Sequence, residues 1–253
     1  MATETIEMSL YNDTIKMVFY PNSHQYKIDG RNIMSVTTAC DVVDKSKPLI
    51  HRAINLCKSY LVGKLQAWQV TEQDIIDGCM QHKVKKEEAG DIWSIAHERA
   101  ENYIKTWKLS LPDDERVQRA INGFPEWERV HNVQFIQSEK FVYSKEHDYI
   151  GIADCIAEID GKKYLIDFKT SNSIYLLSYW MQTSAYLKAY EEETGEKLHW
   201  IIIVKFAKEE FDKNGEPIAP YEIQEIHDID GFFDAFIHAK KLKEYVKKYD
   251  TYK

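Results

Sequence analysis

The segment from residue 151 to residue 169 limits the fold more than any other part of the chain. Two stretches of alternating, largely apolar residues flank Asp160-Gly161, a dipeptide that accepts the positive φ angles of a two-residue hairpin turn. Because such a turn fixes the register of both strands, Asp154 is predicted to lie directly opposite Asp167. The segment therefore predicts an antiparallel hairpin that brings two carboxylates together.

A third charged group belongs to the same predicted face. Paired side chains on neighbouring strands have Cβ atoms about 4.5–5.5 Å apart, and two carboxylates at this separation repel unless a proton or a cation lies between them. Side chains alternate along a strand, so Lys169 projects from the same face as Asp167. A divalent metal ion beside a lysine is one interpretation of this face, and polar residues on an ordinary solvated strand are the alternative.

The opposite face of the hairpin is small and apolar, which favours close packing of a helix. It is predicted to comprise Gly151, Ala153, Cys155, Ala157 and Ile159 together with Tyr164, Ile166 and Phe168.

The remaining elements place this hairpin in a larger sheet. Tight turns are predicted at Asp29-Gly30, inside a hairpin over 16–38, and at Asn214-Gly215. Strands are predicted at 135–143, 149–159, 163–169 and 199–206, and helices at 49–68, 87–107, 113–131, 174–194 and 231–249. The helix at 87–107 is expected to end before Leu111-Pro112. Helices before and after a run of strands predict the α/β class, with a mixed sheet flanked by helices.

Composition restricts the functional class. The chain has 253 residues, 44% of them hydrophobic and 29% charged, and lacks an apolar run of the ~20 residues that a membrane helix needs.

Its net charge of −8 argues against a protein that simply coats nucleic acid. Basic residues nevertheless cluster in two segments, the acid-free stretch between Lys45 and Thr71 and the stretch 240–248. Either cluster is also compatible with an ordinary solvated helix face.

The cysteines suggest neither a zinc site nor a disulfide framework. The chain has four, at positions 40, 57, 79 and 155, without any C-x-x-C pair. A reducing compartment is therefore expected.

Four motifs follow one another along the chain: Asp-Ile-Trp-Ser-Ile-Ala-His-Glu at 91–98, Gly-Ile-Ala-Asp at 151–154, Asp-Phe-Lys at 167–169, and Gln182 followed by Tyr186. In this order they resemble the PD-(D/E)XK nuclease superfamily, in its RecB-like exonuclease branch. Ser-Val-Thr-Thr at 35–38 is similar to the amino-terminal region of stand-alone phage and mitochondrial-type members. The resemblance spans roughly residues 35–206.

The resemblance implies a restriction-endonuclease-like core and a role for each motif residue. Asp154, Asp167 and Lys169 would be catalytic. The two aspartates would also bind Mg²⁺ or Mn²⁺, together with the backbone carbonyl of Phe168 and with His97. Glu139 matches an acidic residue before the first core strand, and would reach a second ion or hold the lysine. The residues expected to contact DNA are Gln182, Tyr186, Ser35, Thr37, Lys45, Lys47, Arg52 and Lys58.

The activity implied is that of a metal-dependent DNA exonuclease acting on single strands or ends, in replication, recombination or repair. A structure- or site-specific endonuclease and a non-catalytic nucleic-acid-binding module are the alternatives. A replication or recombination protein is a conceivable partner, and a membrane is not expected. The expected location is the cytoplasm of a bacterial or phage-infected cell rather than a mitochondrion.

Two features depart from the relatives. Trp93 stands where the family usually has glycine, and no cysteine follows Cys155, so no iron-sulfur cluster is expected. No nucleotide is expected either, since the chain lacks a Walker motif. One nuclease domain is expected over 1–253, with an amino-terminal hairpin and helical arm at 1–86 and a core with a carboxy-terminal helix at 87–253.

Overall fold

The computed structural model of the chain describes residues 5–43, 46–65, 70–108, 114–170 and 176–249. Within these ranges nine strands form one mixed sheet, and helices lie before, between and after them. The strands are β1 (Ile6–Leu10), β2 (Ile15–Tyr20), β3 (Gln25–Ile28), β4 (Arg31–Ser35), β5 (Gln134–Ser144), β6 (Tyr149–Ile159), β7 (Lys162–Lys169), β8 (Ile201–Phe206) and β9 (Tyr221–Ile226). The helices are α1 (Val36–Cys40), α2 (Ser46–Leu65), α3 (Glu72–Thr106), α4 (Glu115–Val130), α5 (Leu177–Thr194) and α6 (Ile229–Tyr249).

The first four strands form an antiparallel meander. The predicted turn at Asp29-Gly30 joins β3 to β4, with φ angles of 49° and 75°. The predicted turn is therefore confirmed, but the predicted extent of the hairpin, 16–38, is wrong. Its first arm is divided into β2 and β3, and residues 36–38 belong to α1. This meander joins the rest of the sheet where β4 runs parallel to β6.

The central hairpin forms as the sequence predicts. Asp160 and Gly161 have φ angles of 50° and 72°, and the pairing of β6 with β7 runs from Ile159 opposite Lys162 to Cys155 opposite Ile166. On the other side of β7 lies β8, in parallel, and β9 continues antiparallel from β8. The predicted turn at Asn214-Gly215 lies in the β8–β9 connection, where Phe211 pairs with Pro217.

Helices cover both faces of the central strands. Leu165 and Ile203 belong to a core cluster that includes α1, α5 and α6 residues. Ile166, the next residue along β7, belongs to a second cluster built on α4, which includes Phe124 and Trp127. Because side chains alternate along a strand, these two clusters lie on opposite faces. The predicted α/β class with a mixed, helix-flanked sheet is confirmed.

The predicted apolar face of β6 is wrong in its first half. Gly151 and Ala153 lie on the α5 side, the first against Tyr186 and the second in the cluster with α5. Cys155 and Ala157 belong to the α4 cluster instead. The alternation of side chains between the two faces of β6 is therefore interrupted at Asp154. The sequence prediction assumed strict alternation from the turn.

The contacts divide the chain into two compact units, one formed by Met1–Val43 with Arg99–Lys253 and the other by Asp44–Glu98. The second unit contains α2 and α3 up to Glu98. Helix α3 begins at Glu72, well before its predicted start, and Leu111-Pro112 lies outside the described residues. The predicted division at residue 86 stays a prediction.

None of the helices in the described ranges combines the length and the apolar character that crossing a lipid bilayer demands.

Candidate metal centre

Strand β7 carries a buried ion pair in the middle of the sheet. Asp167 is 1% exposed and Lys169 7%, and the lysine Nζ lies 2.5 Å from Oδ2 of the aspartate. The Nζ also lies 5.0 Å from the centre of the Tyr179 ring on α5, a cation–π contact. Removing two charges from water costs free energy that only close, well-oriented pairing offsets. A buried pair of this kind is a poor way to gain stability, which favours a functional interpretation.

The lysine keeps its proton despite burial. Burial by itself lowers the pKa of Lys169, but the charges of Asp167 and Asp154, the hydrogen bond to Asp167 and the Tyr179 hydroxyl together outweigh it and raise the pKa above the ordinary value. At neutral pH the group is therefore an ammonium, which can donate hydrogen bonds and balance negative charge.

Asp154 stands where the ladder between β6 and β7 stops. One of its carboxylate oxygens, Oδ2, accepts a 2.8 Å hydrogen bond from the backbone N–H of Phe168. If the ladder continued, this N–H would donate a hydrogen bond to a backbone carbonyl of β6. The side chain of Asp154 thus lies against β7 beside Asp167, although the two residues are not paired across a regular ladder as the sequence predicts.

Glu139 lies on β5, which pairs antiparallel with β6. Its flanking residues Ser138 and Lys140 pair with Cys155 and Ala153, which sets Glu139 opposite Asp154. Carboxylate oxygens of these two acids lie within 4.8 Å of each other.

The backbone of Glu139 is unusual. Its φ of 49° is left-handed, inside an eleven-residue strand. This conformation costs a residue with a side chain roughly 1–3 kcal/mol and recurs at functional sites.

The charges gathered around Glu139 change its protonation. Burial, followed by the charges of Asp154, Glu101 and Asp167, raises its pKa to about 8, against an opposing contribution from Lys105. The carboxyl group therefore holds a proton near neutral pH. A divalent cation can take the place of that proton, because carboxylate oxygens are the donors that Mg²⁺ and Mn²⁺ prefer. Glu139 and Asp154, whose carboxylate oxygens lie within 4.8 Å of each other, are donors that fit such an ion.

The α5 motif lies beside these acids. Gln182 donates a 2.7 Å hydrogen bond from Nε2 to the Tyr186 hydroxyl. Burial raises the pKa of that phenol well above its ordinary value, and the charges of Asp167 and Asp154 raise it further. Tyr186 is therefore close enough to both carboxylates to sense their charge, and the role of the pair in DNA binding stays a prediction.

The other predicted site residues have varied surroundings. The Ser35 hydroxyl caps α1, accepting the Thr38 N–H at 3.1 Å, and lies 3.0 Å from the hydroxyl of Thr37. His97, Lys47, Arg52 and Lys58 belong to the second unit, the last three with exposed side chains. Lys45 lies outside the described residues. The roles of these residues in metal or DNA binding stay predictions.

Sequence reasoning missed several residues around the acids. Glu101 and Lys105 on α3 form an ion pair and act electrostatically on Glu139. Burial, and then the charge of Glu139, raises the pKa of Tyr26 on β3 to about 12. No local pattern connects these residues with the hairpin, since they come from distant parts of the chain.

Comparison with known proteins adds no family to this description. No model of a known protein family matches the chain, and no curated protein matches its sequence significantly.

Proposed function

We propose that this chain is a metal-dependent deoxyribonuclease that hydrolyses phosphodiester bonds as an exonuclease, on single-stranded DNA or DNA ends. The observation that carries the proposal is the buried Asp167–Lys169 pair with the carboxylate of Asp154 beside it. Three acids and one ammonium on neighbouring strands form a site suited to a hard cation and a phosphate. The four-motif resemblance to PD-(D/E)XK nucleases supports the choice of DNA as substrate and of replication, recombination or repair as the process.

The chain's own donors define the proposed metal site. Asp154, Asp167 and Glu139 would hold Mg²⁺ or Mn²⁺, and the resemblance adds His97 and the Phe168 carbonyl. An ion bound there supplies Lewis-acid chemistry, by polarising the scissile phosphate and lowering the pKa of water.

Lys169 is the proposed catalytic cation. Because its pKa is raised, it serves at neutral pH as a donor of positive charge rather than as a base that removes a proton. Its ammonium would stabilise the negative charge that develops on the phosphoryl oxygens in the transition state. Asp167 holds the ammonium in place by the 2.5 Å contact.

Gln182 and Tyr186 are the proposed positioning pair for the strand. The hydrogen bond between them orients the amide, whose remaining donor and acceptor can bind a phosphate or a base edge. Ser35, Thr37 and the α2 cations Lys47, Arg52 and Lys58 are further proposed contacts to DNA.

The proposal is tested with single strands labelled at the 5′ or the 3′ end, incubated with Mn²⁺ or Mg²⁺. The parent protein should shorten them progressively from one end, and Asp167→Asn and Lys169→Met should lose at least a hundredfold in rate. Asp160→Asn is the matched control. It changes an aspartate in the hairpin turn and leaves the three acids of the proposed metal site unchanged. If the Asp167 and Lys169 variants keep the parental rate, the proposal fails.

Circular single-stranded DNA separates the two cutting modes. An exonuclease should spare the circle, and an endonuclease should open it, since the metal site by itself does not fix the mode of cutting. A protein that binds DNA, binds no Mn²⁺ and cuts neither substrate would be a non-catalytic module.

A further inference from the structure

Two thiols that are distant in the sequence meet in the second unit. Cys57 lies on α2 and Cys79 on α3, and their Sγ atoms are 3.9 Å apart. Cys79 is exposed and Cys57 is partly exposed, whereas Cys40 and Cys155 are buried. The chain thus has one accessible thiol pair and two enclosed thiols.

The packing of the helices explains why the sulfurs come so close. A Cβ atom at Gly78 would lie 3.3 Å from Cγ of Leu61 and 3.4 Å from Sγ of Cys57. The backbone of α3 therefore approaches α2 at a residue without a side chain, directly beside Cys79. Sulfur atoms in a disulfide are about 2.05 Å apart, so side-chain rotation has to close a gap of only about 2 Å.

The register of the two helices is fixed independently of the sulfurs. Asp74 accepts hydrogen bonds from the backbone and the hydroxyl of Thr71 at the start of α3. The same carboxylate lies 3.0 Å from Nζ of Lys64, near the end of α2. These contacts join the end of α2 to the start of α3. They favour the arrangement of the two helices in which the thiols face each other.

We propose that Cys57 and Cys79 form a reversible intramolecular disulfide when a low-molecular-weight disulfide is present. The exposed Cys79 thiolate attacks the reagent RSSR, forming a mixed disulfide and releasing one RS⁻. The Cys57 thiolate then attacks Sγ of Cys79, which forms the Cys57–Cys79 bond and expels the second RS⁻. Two protein thiols are oxidised, and the two thiolates released from the reagent take up the two protons that the protein thiols lost.

The second step depends on pH. In the reduced pair, burial and then the hydrogen bond and the charge of Cys79 raise the pKa of Cys57. In the mixed disulfide Cys79 has no thiol, so burial is the cause that stays. The thiolate of Cys57 is the nucleophile. Closure should therefore be faster in mildly alkaline than in neutral buffer. The pair is a modification site that does not involve the acids of β6 and β7, so its test is independent of nuclease activity.

The test uses the whole folded chain and oxidised glutathione at pH 8, followed by mass spectrometry and peptide mapping. The parent should lose two hydrogen atoms, carry no glutathione, and yield a cross-linked peptide pair containing Cys57 and Cys79. Cys57→Ser and Cys79→Ser should each keep one glutathione adduct and form no internal cross-link. Dithiothreitol should restore the parent completely.

Two results would overturn the proposal. One is a parent that keeps glutathione on Cys79 without closing the bond, which would mean that the helices hold the sulfurs apart. The other is a parent that forms cross-linked dimers through these cysteines instead of an internal bond. Both are visible on the parent protein itself, so the conclusion does not depend on the folding of a variant.

Discussion

The ring of Tyr186 on α5 lies so close to Gly151 on β6 that a side chain at position 151 would overlap with it. A Cβ atom added there would lie 2.3 Å from Cε1 of the tyrosine ring and 3.0 Å from Cδ1. The tyrosine is buried, with 4% of its surface exposed. The glycine of the Gly-Ile-Ala-Asp motif therefore allows the α5 motif to lie against the strand that carries Asp154.

Replacing Gly151 with alanine should destabilise the protein by about 1–3 kcal/mol, the usual cost of overpacking a core. Urea unfolding measures the change. Gly90→Ala is the matched control, because nothing lies within 4 Å of a Cβ at that helical position and alanine favours a helix over glycine. If both variants unfold like the parent, the close contact with Tyr186 does not exist in solution.

Replacing Lys169 with methionine should destabilise the protein by about 3–5 kcal/mol at neutral pH, because a buried carboxylate then loses its counter-charge. The loss should shrink in acid, where Asp167 can take up a proton. The double variant Asp167→Asn with Lys169→Met removes both charges, and it should be more stable than the single lysine variant. Unfolding curves of the three proteins test this, and equal stability of the single and double variants would contradict a buried ion pair.

Glu139 should make the metal-free protein less stable as the pH rises. Its pKa is about 8 in the folded chain, against an ordinary value of 4.5. Between these values the folded protein holds a proton that the unfolded chain has released, so stability is greatest below pH 4.5 and falls as the pH rises to 8. Glu139→Gln removes this loss and should be about 1–3 kcal/mol more stable than the parent at pH 8.

The measurement for Glu139 is urea unfolding at several pH values with a chelator present. Near pH 4 the glutamine variant and the parent should agree. A constant difference between the Glu139 variant and the parent across the range would rule out the raised pKa.

Mn²⁺ should stabilise the folded protein, since an ion that binds only the folded state shifts the unfolding equilibrium. The midpoint of thermal unfolding should rise with Mn²⁺ concentration in the parent and in Asp160→Asn. The rise should disappear in Asp154→Asn and Asp167→Asn, which lose a carboxylate at the proposed site. A rise of the same size in all four proteins would place the ion elsewhere.

The fold was predictable where local chemistry decides it. Asp160-Gly161 and Asp29-Gly30 adopt the positive φ angles that their residue types allow, and the registers around them follow. Alternation along one strand also fixed the relation of Asp167 to Lys169, because residues two apart share a face.

Prediction failed where the strand departs from regular geometry. Strand β6 changes face at Asp154, and the backbone of Glu139 is left-handed. A periodic sequence pattern does not predict such irregularities. At these two positions the carboxylate oxygens of Glu139 and Asp154 lie within 4.8 Å of each other.

The amino-acid sequence by itself determined the turns, most strands and the order of acid, acid and amine along the central hairpin, since these depend on neighbours a few residues away. Tertiary structure alone decided that Glu139 lies opposite Asp154 with a left-handed backbone, that Tyr186 packs against Gly151, and that Cys57 lies beside Cys79. Such encounters depend on how separate elements pack, and the spacing of residues along a chain does not specify the distance between elements after folding.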